Sequence, residues 1–113
     1  MDLILERDGG HCVWCGSPFD ERLNMATTEH LVPRIKGGPS WLENEVAACR
    51  RCNSARGNRG LGEFADECEG LGREVDRARI VRCLKALNAA ILERGGQRRA
   101  RPYIATQLRR LDV

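Results

Sequence analysis

Four of the six cysteines in this 113-residue chain form two closely spaced pairs. Cys12 and Cys15 make one C-x-x-C pair, Cys49 and Cys52 make the other, and 33 residues separate the pairs. Two residues between thiolates let a tight turn aim both sulfurs at one ion, and two such turns complete the tetrahedron that zinc prefers in structural sites. The spacing therefore predicts a structural Zn²⁺ with no coordination position open for catalysis.

Two other uses of paired cysteines are open from the residues alone: two disulfides, or a thioredoxin-like redox pair. Disulfides suit exported proteins, and the N-terminus lacks the basic-then-apolar layout of a secretory signal, so we expect a reducing, cytoplasmic location. A redox site needs one pair beside a parallel-sheet pattern, which is not seen here. Zinc is therefore preferred. Cys68 and Cys83 are expected to be buried thiols, and His11 a structural or exposed residue.

A second set of chemically capable residues lies between the cysteine pairs and just after them. Hydrolysis of a phosphodiester needs an activated water, charge relief on the phosphate and stabilisation of the leaving oxygen. A histidine can take the proton from water near neutral pH, and His30 is the candidate. A hard divalent ion, Mg²⁺ or Mn²⁺, can polarise the phosphate when oxygen atoms hold it, and Glu29 and Asn53 offer such oxygens.

Strand geometry argues against one shared site for the adjacent residues Glu29 and His30. Neighbouring residues on a strand point to opposite faces, so both serve one site only if the strand bends or the side chains curl toward the scissile group. A single histidine beside a glutamate is also more often a surface pair than a catalytic one. From these two residues alone, a non-catalytic polar pair remains open.

The order of the motifs is more specific than any one of them. Along the chain they read C-x-x-C, E-H-x-x-P, G-G, E-N and C-x-x-C-N-x-x-R-G-N. Over roughly residues 4–59, about half of the chain, this order resembles the HNH endonuclease family. In that family a β-hairpin and a helix clasp one catalytic metal, the ββα-metal fold, and many members add a four-cysteine zinc site.

The resemblance implies a role for each candidate. His30 would be the general base, and Asn44 would hold the loop and the backbone around it. Glu29 and Asn53 would be ligands of the catalytic metal. Cationic residues near the site would bind DNA phosphates, namely Arg34, Lys36, Arg56 and Arg59. The expected function is therefore a metal-dependent DNA endonuclease that hydrolyses phosphodiester bonds.

Turn residues and hydrophobic periodicity predict the elements that position these groups. Glycine at 9 and 10 ends a short opening helix, and the stretch 36–40 is a clear loop signal. The predicted core elements are a helix at 2–7, strands at 25–32 and 44–48, and a helix at 50–57. Residues 1–60 are therefore expected to form the HNH core with its zinc knuckles.

The pattern changes to a helical period after Leu61. Apolar residues recur every three or four positions in one long helix, at Ile80, Leu84, Leu87 and Ile91. Shorter helices are predicted at 62–69 and 103–111. The expected fold class is α+β: a ββα-metal core with a four-cysteine zinc site, followed by two or three C-terminal helices. Residues 61–113 would pack on the core, giving a single domain overall.

Charge distribution bears on the partner. The net charge is +3; residues 1–60 carry 8 basic and 8 acidic side chains, so the excess lies in the second half. Residues 94–113 hold six arginines against one acid, which suits phosphate binding or simply a solvated end. No apolar stretch approaches the roughly 20 residues of a membrane span. We expect a DNA partner, no membrane, and a monomer or homodimer.

A non-catalytic zinc-ribbon module that binds nucleic acid or protein is the alternative. It explains the cysteines and the arginines equally well. It leaves the set of Glu29, His30, Asn44 and Asn53 as a coincidence. Response of activity to added Mg²⁺ or Mn²⁺ distinguishes the two hypotheses.

Overall fold

A computed structural model describes residues 1–111 as five α-helices and one two-stranded antiparallel sheet. In chain order these are α1 (Asp2–Asp8), β1 (Ala26–His30), β2 (Glu45–Cys49), α2 (Arg50–Arg56), α3 (Leu61–Gly70), α4 (Arg77–Arg94) and α5 (Ala100–Leu111). Single 3-10 turns at Arg34–Lys36 and Leu42–Asn44 lie between the strands. The predicted α+β class, with a ββα unit followed by three helices, is confirmed.

The two strands form a hairpin with one interior face and one open face. Glu29 pairs with Val46, and both side chains are buried. His30 pairs with Glu45, and both are half-buried. Because side chains alternate along a strand, the hairpin separates the adjacent Glu29 and His30 onto its two faces, as the sequence argument anticipated.

The turn that carries the first cysteine pair, the first knuckle, packs against the C-terminal helices. Trp14 lies between its two cysteines, is fully buried, and meets Phe64 of α3 edge-to-face at a ring distance of 4.8 Å. Aromatic pairs favour this arrangement because the positive ring edge meets the negative face. Trp14 and Phe64 belong to one apolar cluster that also includes Ile80 and Leu84 of α4 and Ile104 of α5.

Helix α4 has 18 residues, or about five turns, and ends before Gly95, as its apolar stripe and the glycine pair predict. Asp76 caps its first turn by accepting a hydrogen bond from the Arg79 N–H at 3.0 Å. The buried Arg79 guanidinium also donates to the His11 carbonyl at 3.0 Å, which ties α4 to the first knuckle. No helix within residues 1–111 is long and apolar enough to cross a membrane.

Candidate active site and zinc centre

The four paired cysteines converge on one point. Their sulfurs all lie within 4.8 Å of one another, and Cys15 Sγ is 4.0 Å from Cys49 Sγ. A Zn–S bond of about 2.3 Å in a tetrahedron places sulfurs about 3.8 Å apart. The turn after α1 carries Cys12 and Cys15, whereas Cys49 ends β2 and Cys52 lies in the first turn of α2. The donor set therefore fits a four-thiolate zinc ion.

The pKa values of Cys12 and Cys52 in the cluster are shifted in opposite directions. The side-chain hydrogen bond between Cys12 and Cys52 lowers the pKa of Cys12 to about 4, and the same contact raises the pKa of Cys52. A metal ion that binds thiolates displaces such shared protons. The other two cysteines, Cys68 and Cys83, lie outside the cluster, and burial raises the pKa of each thiol. They are the buried thiols that the sequence predicts.

His30 closes β1 with its imidazole on the open face of the hairpin. Its side chain is 26% exposed, and its Nε2 lies 3.6 Å from Glu45 Oε2 and 3.4 Å from Ser40 Oγ. Arg34 reaches the same hydroxyl, with Nη2 at 3.4 Å. An imidazole that meets solvent beside a carboxylate can accept a proton from water and be stabilised once charged.

The chain around His30 is held by Asn44, which is fully buried. Its Oδ1 accepts a hydrogen bond from the Val32 N–H at 2.8 Å, and its Nδ2 donates to Val32 O at 3.0 Å and to Pro39 O at 2.9 Å. Gly38 crosses so near that a Cβ there would lie 1.8 Å from Val32 O. Asn44 and Gly38 thus close the loop that follows the proposed base.

Glu29, the expected metal ligand, points into the interior. It is 4% exposed; Oε1 accepts a hydrogen bond from Arg56 Nη1 at 2.9 Å, and Oε2 accepts one from Trp14 Nε1. Burial raises the pKa of Glu29, and the Arg56 charge opposes that rise. The structure therefore does not bring Glu29 and His30 together on one face, although they are neighbours in sequence.

Among the predicted site residues, Arg56 lies in the position that differs most from the one the resemblance implies. The resemblance places it against substrate phosphates, but it is 2% exposed and uses all five N–H donors within the protein. Nε donates to Arg59 O at 3.0 Å, Nη1 to His30 O at 2.9 Å as well as to Glu29, and Nη2 to Leu31 O at 2.9 Å. The fifth bond, from Nη2, goes to the Tyr103 hydroxyl of α5 at 3.1 Å.

This network is the feature of the candidate site that the sequence did not predict. Three of its acceptors are backbone carbonyls, and a fourth comes from α5, which lies outside the HNH resemblance. The motif N-x-x-R-G-N marks an arginine near the site, but no local pattern shows whether it faces solvent or core. In the structure Arg56 supports the His30 backbone from behind.

Asn53, the second expected ligand, lies in the middle of α2 and contacts β1. Its Nδ2 donates to Thr27 Oγ1 at 3.0 Å and to Thr28 O at 3.2 Å. The side-chain carbonyl oxygen of Asn53, Oδ1, accepts no hydrogen bond from residues 1–111, so it is available to a ligand. A hard divalent ion fits such an oxygen, and each carboxylate oxygen of Glu29 has a second lone pair.

Outside the cysteine cluster, the described residues bring no three histidine, cysteine or acidic side chains to one point. A divalent ion at Asn53 and Glu29 would therefore complete its shell with water and substrate oxygens, as Mg²⁺ commonly does. The donor chemistry fits Mg²⁺. To bind the ion, Glu29 would have to keep its hydrogen bond from Arg56 and use a second lone pair, or give up its hydrogen bond from Trp14.

The remaining predicted phosphate ligands are placed differently from one another. Arg34 and Lys36 are exposed on the turn after β1. Arg59 forms an ion pair with Glu67 of α3 and lies over the Phe64 ring. Two of the four cationic residues therefore face solvent on the turn after β1, one is paired at the surface, and Arg56 is interior.

Part of the chain is similar to known endonucleases. Residues 12–59 match the HNH endonuclease family. The chain is similar to the CRISPR-associated endonuclease Cas9 of Corynebacterium diphtheriae, with 38% identity over 75 residues. That alignment covers 66% of this chain and 7% of Cas9, so the chain spans a small fraction of that relative. No solved structure matches significantly.

The match begins at the first zinc-knuckle cysteine and ends three residues after Arg56. It therefore includes the hairpin that carries His30, both cysteine pairs, Asn44 and α2. The resemblance inferred from the motif order is confirmed. Residues 12–59 are therefore similar to the HNH endonuclease family.

Proposed function

We propose that the protein is a DNA endonuclease that hydrolyses phosphodiester bonds with His30 as general base. The observation that carries the proposal is the placement of the imidazole: half-exposed on the open face of the hairpin and beside Glu45. The backbone of the same segment is fixed by Asn44 and Arg56. The similarity to an endonuclease over 75 residues supports the same class of reaction.

The chain's own residues divide the work. His30 takes the proton from the attacking water, and the Glu45 carboxylate stabilises the imidazolium that forms. Arg34, beside Ser40, offers positive charge to the phosphate on the same face. Asn44 and Arg56 act through the backbone, since neither side chain is exposed. Zn²⁺ at the four cysteines is proposed as structural.

A divalent ion, Mg²⁺ or Mn²⁺, belongs to the proposal, with Asn53 and Glu29 as its protein ligands; Glu29 would reach the ion only by turning its carboxylate out of the interior, away from Trp14. When bound, it would relieve charge on the phosphate and on the leaving oxygen. The available Asn53 Oδ1 supports this assignment.

Plasmid cleavage tests the proposal. Wild type should nick or linearise plasmid only when Mg²⁺ or Mn²⁺ is added, and His30→Ala should lose this activity while keeping its zinc and its Tm. The matched control is His11→Ala, which removes the other histidine, an exposed one. That control should cut like wild type.

Two outcomes would count against the proposal. Undiminished cutting by His30→Ala would remove His30 as the base. Absence of cutting by wild type on duplex, single-stranded and modified DNA, with zinc bound and Mg²⁺ present, would favour the binding-module alternative.

A further inference from the structure

An open cleft of about 510 Å³ lies between α5 and the turn that follows β1. Its α5 wall carries Tyr103, Thr106 and Arg110, and Arg99 lies in the turn directly before the helix; the four recur every three or four residues. This spacing aligns them along one edge of the helix. Lys36 lies on the opposite wall. We call this feature the α5 cleft.

Positive charge dominates this side of the molecule. Residues 98–111 contain five arginines and no acidic residue: Arg98, Arg99, Arg101, Arg109 and Arg110. Within residues 1–111 none of the five is in an ion pair, whereas Arg59, Arg77 and Arg94 each are. Helix α5 therefore presents charge that the described part of the chain does not neutralise. Glu63 is the acid that borders the α5 cleft.

The α5 cleft adjoins the candidate active site through two contacts. Tyr103 on its wall accepts a hydrogen bond from Arg56, which also donates to the His30 carbonyl. Arg99 donates to Ile35 O at 2.6 Å, in the turn whose other end carries Arg34 beside Ser40. Arg34 lies on the His30 side of this turn, through Ser40, and Lys36 lines the α5 cleft, so the turn carries one cationic group toward each site.

We propose that the α5 cleft binds the sugar–phosphate backbone of the DNA that His30 cuts, on one side of the cleaved bond. This inference rests on the proposed function for the identity of the nucleic acid. From Arg99, the residue before α5, to Arg110 the chain advances about 16 Å, the axial rise of about five base pairs of a duplex. Because lysine and arginine contacts to phosphate carry no base information, the α5 cleft contributes affinity without sequence preference.

Salt-dependent DNA binding tests the inference. In a zinc-loaded His30→Ala background, which prevents cutting, the double variant Lys36→Gln/Arg110→Gln removes two charges that form no hydrogen bond or ion pair within residues 1–111. The matched control, Arg22→Gln/Arg82→Gln, removes two exposed arginines away from the α5 cleft. Fluorescence anisotropy of a labelled duplex across a salt series gives Kd for each protein.

The cleft variant should bind more weakly at low salt, and the slope of log affinity against log salt should fall in magnitude by about 2. The control should keep the wild-type slope. Equal losses in both variants, or none in either, would overturn the inference. So would displacement of the duplex by polyglutamate as effectively as by unlabelled DNA, which would point to an acidic protein partner.

The two proposals fail in different ways. If the catalytic proposal is wrong, wild type does not cut DNA, yet the difference in salt slope remains. If the α5 cleft does not bind DNA, wild type still cuts in a metal-dependent way, while the cleft variant keeps the control's slope.

Discussion

A planar guanidinium presents five N–H donors in a fixed geometry, and Arg56 satisfies all of them with protein acceptors. Lysine offers three donors on a flexible stem and cannot reproduce this pattern. Arg56 therefore positions two consecutive carbonyls, those of His30 and Leu31, while its charge is paired with buried Glu29. At the scale of single residues, the precision of the proposed base depends on a side chain that is itself inaccessible to substrate.

We predict that Arg56→Lys lowers kcat about 10- to 100-fold with little change in KM, because small displacements of a catalytic group are costly. Arg79→Lys is the matched control: Arg79 is 3% exposed and bonded to Asp76 and to a backbone carbonyl, but has no contact with His30. The Tm of both variants should be lower than that of wild type. Steady-state cleavage with a thermal scan measures both effects.

A kcat that falls equally in both variants would mean that Arg56 acts only through general stability. A rise in KM with unchanged kcat would instead indicate that Arg56 binds the substrate phosphates, as the family resemblance implies.

At the scale of elements, the cysteine cluster joins the turn after α1 to the junction of β2 and α2. A two-stranded hairpin is marginally stable alone in water. The cluster fixes one end of this hairpin against α2, whose other end carries Arg56. Structural zinc contributes about 10 kcal/mol or more in small domains, comparable with the 5–15 kcal/mol total stability of most proteins.

We therefore predict one tightly bound zinc per chain and loss of the folded state when it is removed. Cys52→Ser should lower zinc content and abolish cooperative thermal unfolding. The matched control is Cys83→Ala, a buried cysteine outside the cluster, which should keep its zinc. Elemental analysis and circular dichroism measure both quantities. A zinc-free wild type that unfolds cooperatively at its usual Tm would contradict this.

At the scale of the whole molecule, the HNH core and the helices after it share one apolar interior. Trp14 packs on Phe64, and the buried cluster continues through α4 and α5. Full burial of a large apolar side chain contributes about 1.5–3 kcal/mol. Separation of the two parts would expose several such side chains together, so we propose that residues 1–60 and 61–113 fold as a single domain.

We predict that a fragment of residues 1–60, even with zinc, lacks fixed tertiary structure and does not cut DNA. The physical reason is the loss of the partners of Trp14 and Arg56, namely Phe64 and Tyr103. Near-UV circular dichroism and plasmid cleavage check this against the full chain. A fragment that unfolds cooperatively and cuts at the full-length rate would show that the helices are a separate unit.

The local sequence determined the elements and the cysteine cluster. The cysteine spacing, the loop glycines and the helical stripe each act over a few residues, and the observed strands and helices lie within a few positions of those predicted. The position of Asn44 followed from motif order, and the structure places it against the loop after His30.

Only the tertiary structure decided which charges are buried and which are free. Glu29 and Arg56 are 27 residues apart, and Arg56 and Tyr103 are 47 apart, so no local pattern records their contacts. A charged side chain is buried where distant partners satisfy it, and it stays exposed where they do not. The packing of α5 on the HNH core thus sets Arg56 in the interior and leaves the arginines of α5 facing solvent.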